Sequence, residues 1–186
     1  DYITINISSP NTPGLRALQS KDALMELLSG VMEARNNLSN KPPLFLKVAP
    51  DLSKDDIADI GDACLDAKID GLIVSNTTVT RPDTLVSANA GEEGGLSGAP
   101  LLSLSTEMLR QFYARLDGNI PIIGVGGIAS AEDAYAKICS GASAVQLYSA
   151  LVYRGPGLVR EINRGLAELL RQDGHKSVAA AVGSAV

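Results

Sequence analysis

Four short stretches hold the residues best suited to chemistry. "NISSPN" (6–11) crowds two amides and two hydroxyls around one proline, directly after a β-branched, aromatic opening. Such a set can grip a small polar molecule through amide donors and acceptors and offer a hydroxyl to a proton. Lys47 stands inside the otherwise apolar "LFLKVAP" (44–50). An ammonium there is costly unless it meets an anion or polar ligand, or snorkels to the surface. "SNTT" (75–78) supplies another amide flanked by hydroxyls, suited to imide or carboxylate edges, although a plain turn uses the same residues. "GVGG" (124–127) can bring backbone N–H groups close to a phosphate where a Cβ would obstruct, or can simply end a strand. "GGLSG" (94–98) is a further glycine-rich turn, and "LYSAL" (147–151) could open a short helix.

The elements that must position these stretches alternate strand and helix. Strands are expected over 2–7, 43–50, 70–76, 120–127 and 143–148. Leu24, Leu27, Leu28 and Val31 recur at helical spacing within 21–38. Ser53 and Asp56 form a capping box for a helix through Ala67, with Ile57, Ile60 and Cys64 on one side. A long loop from Thr77 to Leu102 precedes a helix marked by Leu109, Phe112, Tyr113 and Leu116. Ser130 and Asp133 cap a short helix ending at Gly141. A last long helix runs from near Pro156 to Gly174, with Val159, Ile162, Leu166, Leu169 and Leu170 expected to face inward. Apolar strands buried on both faces and alternating with helices imply a parallel sheet. Asn6 to Asn11, Asn76 to Thr78, Gly126-Gly127 and Tyr148-Ser149 then all follow the C-terminal ends of strands, where ligands bind in α/β folds.

Composition excludes several classes. The chain has 186 residues, 45% hydrophobic, with a net charge of −5. Its basic residues are scattered, so no nucleic-acid footprint is expected. No run reaches the ~20 apolar residues of a membrane-spanning helix. The two cysteines, Cys64 and Cys139, lie far apart within helical patterns and read as small apolar residues of a reducing compartment. The one histidine, His175, sits beyond the last helix. Histidine bases, His-ligated metals and cysteine clusters are therefore not expected, and no metal site is proposed.

Taken together, "NISSPNTPGLR", "LFLKVAPDL", "DGLIVSNTT", "EGGLSGAPL", "PIIGVGGI" and "AVQLYSAL" resemble, in this order, the class 2, quinone-linked dihydroorotate dehydrogenases. The resemblance implies a TIM (β/α)8 barrel, of which this chain carries about strands 4 to 8 as the C-terminal portion of one FMN-binding domain (1–186). A whole barrel needs about 250 residues, and the chain opens at Asp1 without an initiator Met, so a fragment or partly recorded chain is expected.

By the same resemblance Ser9 is the catalytic base that takes a proton from C5 of dihydroorotate, while the C6 hydride passes to N5 of FMN. The soluble class 1 enzymes typically carry Cys at that position. Asn6, Asn11, Asn76 and Thr77 hold the orotate. Lys47 and Ser75 contact the flavin, where a lysine beside the pyrimidine edge stabilises the reduced anion. Ser97, Gly98, Gly126, Gly127, Tyr148 and Ser149 form the ribityl-phosphate cradle. Ubiquinone or menaquinone reoxidises the flavin, with peripheral membrane contact through a segment outside this sequence. That places the protein at the cytoplasmic face of the inner membrane in a bacterium, or at the mitochondrial inner membrane in a eukaryote. Other readings stay open: a flavin barrel acting on another dihydropyrimidine, a non-redox phosphate-binding barrel with Lys47 as a Schiff base, or an inactive barrel fragment.

Overall fold

The computed structural model describes residues 1–12 and 14–186. Five strands form one parallel sheet in sequential order: β1 (Ile3–Asn6), β2 (Leu44–Val48), β3 (Gly71–Val74), β4 (Ile122–Val125) and β5 (Ala142–Gln146). Helices α1 (Lys21–Asn36), α2 (Lys54–Ala67), α3 (Leu102–Leu116) and α4 (Ala131–Cys139) cross from each strand to the next. Sequential parallel order with one helix per crossover is an arc of a (β/α) barrel. After β5 come α5 (Ser149–Arg154), α6 (Gly157–Gln172) and α7 (Val178–Ala181). Short 3-10 turns occupy Leu15–Gln19 and Ala99–Leu101.

The helices pack on the convex face of the sheet. Leu24 and Leu28 of α1, Ile57, Ile60 and Cys64 of α2, and Leu109, Phe112 and Leu116 of α3 meet Leu46, Val48, Leu72 and Val74 in one core. A second core joins α4, α6 and α7 through Ile138, Leu158, Ile162 and Ala181. The capping box of α2 forms as expected, Ser53 Oγ accepting from Asp56 N–H while Asp56 accepts from Ser53 N–H. Ser130 Oγ likewise accepts from Asp133 N–H.

Two expectations are corrected. Val159 does not face inward: it is 43% exposed, and Leu158 takes the buried place at 2%. The α6 stripe runs Leu158, Ile162, Leu166, Leu170, a strict four-residue spacing that the i, i+3 pattern from Val159 misses. Nor are all strands buried on both faces. Only β3 is; β2 alternates, with Leu44, Leu46 and Val48 under the helices and Phe45 and Lys47 on the concave face. The concave face of β1, at one sheet edge, is largely exposed.

Candidate functional site

Strand register sets the site. Asn6 pairs with Lys47, and Lys47 with Ile73, so the amide and the ammonium sit side by side at one level of the sheet. One residue further, Val48, Val74, Gly124 and Val145 form the next row. The polar residues after this row all emerge at the C-terminal end of the sheet, as their sequence positions require.

There they line a cleft of about 560 Å³, within the usual range for small-ligand sites. Lys47, Ser75, Asn76, Thr77, Ser97, Gly98, Gly126, Gly127, Tyr148 and Ser149 all contribute to its wall. Ten of the thirteen residues expected to bind or react thus surround one space. Val125, Ile128, Ala129, Leu147 and Tyr153 add apolar wall that the sequence motifs did not single out. Lys47 is half-buried, and that burial lowers its pKa. Among the described residues it makes no salt bridge, so its charge is available to a ligand.

One end of the cleft is a nest of backbone donors. Gly126 and Gly127 have φ of 110° and 81°, in the left-handed region. A Cβ on Gly126 would collide with Ser105 and Leu101, and one on Gly127 with the backbone of Leu102. Glycine is therefore required by both conformation and space. The N–H groups of Gly126, Gly127, Tyr148 and Ser149 have no hydrogen-bond partner among the described residues. Tyr148 itself is 80% exposed. Ser97 and Ser149 approach from two loops, their hydroxyls 2.9 Å apart. Unpaired N–H groups, two hydroxyls and glycine turns lining one cleft suit a phosphate.

The other three expected residues lie outside the cleft wall. Asn6 is tied to it, its Oδ1 accepting from Asn76 Nδ2 at 3.2 Å. The same Asn76 nitrogen donates to Ser8 Oγ at 3.1 Å, and Ser8 Oγ donates to Asn6 Oδ1 at 3.0 Å. Ser8 is fully buried and organises the two amides, while the neighbouring Ser9 is half-buried. Ser9 Oγ accepts from Asn11 N–H at 3.3 Å, and no His, Asp or Glu side chain bonds it among the described residues. Asn11 lies beside Gly94 of the long loop.

A polar lock that the motifs did not reveal holds the two amide-bearing loops together. Asp51, just after β2, pairs with Arg16 Nη1 at 3.0 Å. It also accepts from the hydroxyls of Thr78 and Thr80 and from Val79 N–H. Arg16 in turn donates to the carbonyls of Ser8 and Thr77. One ion pair thus ties the loop after β1 to the loop after β3. The signal in the sequence was faint: an acidic residue following a strand-ending proline. Arg81 staples the base of the long loop through the carbonyls of Glu92 and Gly94 at 2.7 and 2.8 Å, and Thr78 and Leu96 form an antiparallel bridge there. No group of three or more His, Cys, Asp or Glu is placed to hold a metal among the described residues, and no described helix is long and apolar enough to cross a membrane.

An arc of parallel barrel with one cleft lined by glycine turns, hydroxyls and amides at its strand ends is an α/β-barrel arrangement suited to a small polar ligand. Comparison narrows this. The dihydroorotate dehydrogenase family pattern matches residues 1–170, and the chain belongs to that family. It is 54% identical over 185 residues to a dihydroorotate dehydrogenase (quinone) of Parvibaculum lavamentivorans, covering 100% of this chain and 52% of that protein. It is 52% identical over 189 residues to the mitochondrial dihydroorotate dehydrogenase (quinone) of Oryza sativa subsp. japonica, covering 99% of this chain and 40% of that one. The crystal structure of a ligand-free DHODH from Eimeria tenella superposes with a TM-score of 0.95 at 40% identity, over 98% of this chain and 55% of that one. The chain spans about half the length of the curated bacterial relatives it matches.

Proposed function

We propose that this chain provides the phosphate nest and the main amide clamp of a quinone-dependent dihydroorotate dehydrogenase that uses FMN. The observation that carries the reading is the single cleft bordered by Lys47, by Asn76 and Thr77, and by the Gly126-Gly127 and Tyr148-Ser149 turns. Bound FMN supplies the hydride acceptor for dihydroorotate oxidation in pyrimidine biosynthesis. The unpaired N–H groups of Gly126, Gly127, Tyr148 and Ser149, with the Ser97 and Ser149 hydroxyls, hold its phosphate. Ser75 and Gly98 line the same cleft and would contact the flavin. Lys47 presents an ammonium to the ring's polar edge, and pairing with negative charge there offsets the desolvation that lowers its pKa.

Asn6, Asn11, Asn76 and Thr77 orient the substrate carboxylate and imide. The Asn6–Ser8–Asn76 hydrogen bonds fix which amide edges face it. The Ser9 hydroxyl accepts the C5 proton, and a water passes it onward, since no neighbouring side chain serves as a stronger base. The relatives' names support a quinone as the final oxidant. A lipid-soluble quinone places turnover at a membrane surface: the inner membrane's cytoplasmic face in a bacterium, the mitochondrial inner membrane in a eukaryote.

The test is an absorption spectrum of the purified full chain with FMN, before and after anaerobic dihydroorotate. A bound flavin band that bleaches supports the assignment. A bound flavin unaffected by dihydroorotate overturns the substrate, and failure to bind any flavin overturns the cofactor. The lowered Lys47 pKa also suits a Schiff-base lysine; borohydride trapping of a carbonyl substrate would favour that second reading.

A further inference from the structure

Lys137 on α4 is fully buried, yet it lies outside the cleft and no part of the proposed chemistry touches it. Its Nζ donates to Ser105 Oγ of α3 at 2.5 Å. Ser105 Oγ lies 3.1 Å from the Gly126 carbonyl and 3.2 Å from the Leu102 carbonyl. The Leu102 carbonyl already accepts from Thr106 Oγ1 at 2.7 Å. In its charged form, which prevails below a pH of about 7, Lys137 can only donate. Ser105 Oγ must therefore accept from Lys137, which leaves its one proton for a carbonyl, and Gly126 is the one without another side-chain donor among the described residues.

The direction of this chain matters because the Gly126–Gly127 peptide is planar and trans. Drawing the Gly126 carbonyl back toward α3 turns the Gly127 N–H the opposite way. That N–H has no protein partner among the described residues, and Gly127 lines the cleft. The same chain polarises the peptide, strengthening the N–H as a donor. A buried cation two hydrogen bonds behind the nest also favours negative charge in front of it. Its own field is weakly compensated: burial pushes the Lys137 pKa down to about 7 against a smaller opposing effect of Asp133.

We propose that Lys137 is a positioning residue for the cofactor phosphate, acting through Ser105 and the Gly126 carbonyl to aim and charge the Gly127 N–H. This rests on the flavin-phosphate reading above. It predicts selectivity for the phosphate in particular, which a purely structural lysine would not confer.

The experiment measures dissociation constants of FMN and of riboflavin by flavin fluorescence at about pH 6, where Lys137 is charged, in the full chain and in Lys137→Met and Ser105→Ala. Thermal unfolding checks that each variant folds. Methionine keeps the apolar stem and removes the charge, and Ser105→Ala breaks the link while leaving the lysine. Expected is at least tenfold weaker FMN binding in Lys137→Met, a smaller loss in Ser105→Ala, and riboflavin binding within twofold of the parent in both. Equal weakening of both flavins, or unchanged FMN binding, overturns the proposal. If Lys137→Met fails to fold, Ser105→Ala decides by the same criterion. A parent protein that binds neither flavin would instead sink the flavin reading itself, and this inference with it.

Discussion

Asp51 offers the sharpest test of how the two amide-bearing loops, proposed to hold the substrate, are ordered. Its carboxylate, 14% exposed, accepts from Arg16 Nη1, the Thr78 and Thr80 hydroxyls and Val79 N–H. A hydrogen bond to an ionised group is worth about 1.5–3 kcal/mol. Four such bonds on one carboxylate share their charge and do not add. Arg16 keeps its bonds to the Ser8 and Thr77 carbonyls, and Thr80 is exposed and rehydrates. We take a net loss of about 3 kcal/mol for Asp51→Ala, between one bond and two. The lock joins the loop carrying Asn6 to the loop carrying Asn76, so the loss falls on ordering those amides. At 1.4 kcal/mol per factor of ten, KM for dihydroorotate should rise about 100-fold. Asp51→Asn keeps one carbonyl oxygen for the threonines but presents an amide to Arg16, and should lose about tenfold. The nest proposed for the flavin phosphate lies on other strand ends, so FMN affinity should change by less than about threefold. Steady-state kinetics with a quinone analogue, beside flavin titration, read both. An Asp51→Ala protein with unchanged KM, or one that loses FMN in step with substrate, would refute the reasoning.

Gly127→Ala should cost about 1–3 kcal/mol from the left-handed φ, with the Leu102 backbone adding to it, and should abolish tight FMN binding; thermal shift and flavin titration measure both. Lys47→Met removes a half-buried ammonium whose pKa burial lowers, so the flavin-free protein should unfold at the same or a higher temperature while dihydroorotate no longer bleaches the flavin; a variant that is both less stable and fully active contradicts this. Lys137 sets a pH dependence. Its folded pKa of about 7 lies below the ordinary 10.5, so between those values the unfolded chain binds more protons and stability rises with pH. The gain, up to about 1.4 kcal/mol per pH unit, should be seen in denaturant unfolding of the flavin-free protein from pH 7 to 9 and be absent in Lys137→Met; a parent curve parallel to the variant's would exclude it.

The sequence by itself determined the order of elements and the end of the sheet at which the polar motifs gather. Apolar strands and amphipathic helices alternate by local periodicity, capping by Ser53 and Ser130 needs only three residues of chain, and a motif that follows a strand must emerge at its C-terminal end. Lys47 stood out for its own reason, as an ammonium near the end of an apolar strand, whereas Ser9 was singled out by family resemblance. The tertiary structure decided which of them share a space. Register set Asn6 against Lys47, and crossing the sheet joined Asn6 to Asn76, 70 residues away. The Asp51–Arg16 lock and the Lys137–Ser105–Gly126 chain link residues 35, 32 and 21 positions apart, each of an ordinary type in its own stretch. No local pattern encodes such pairs, because the cost that makes them necessary, an unpaired polar group out of water, arises only once packing has removed the water.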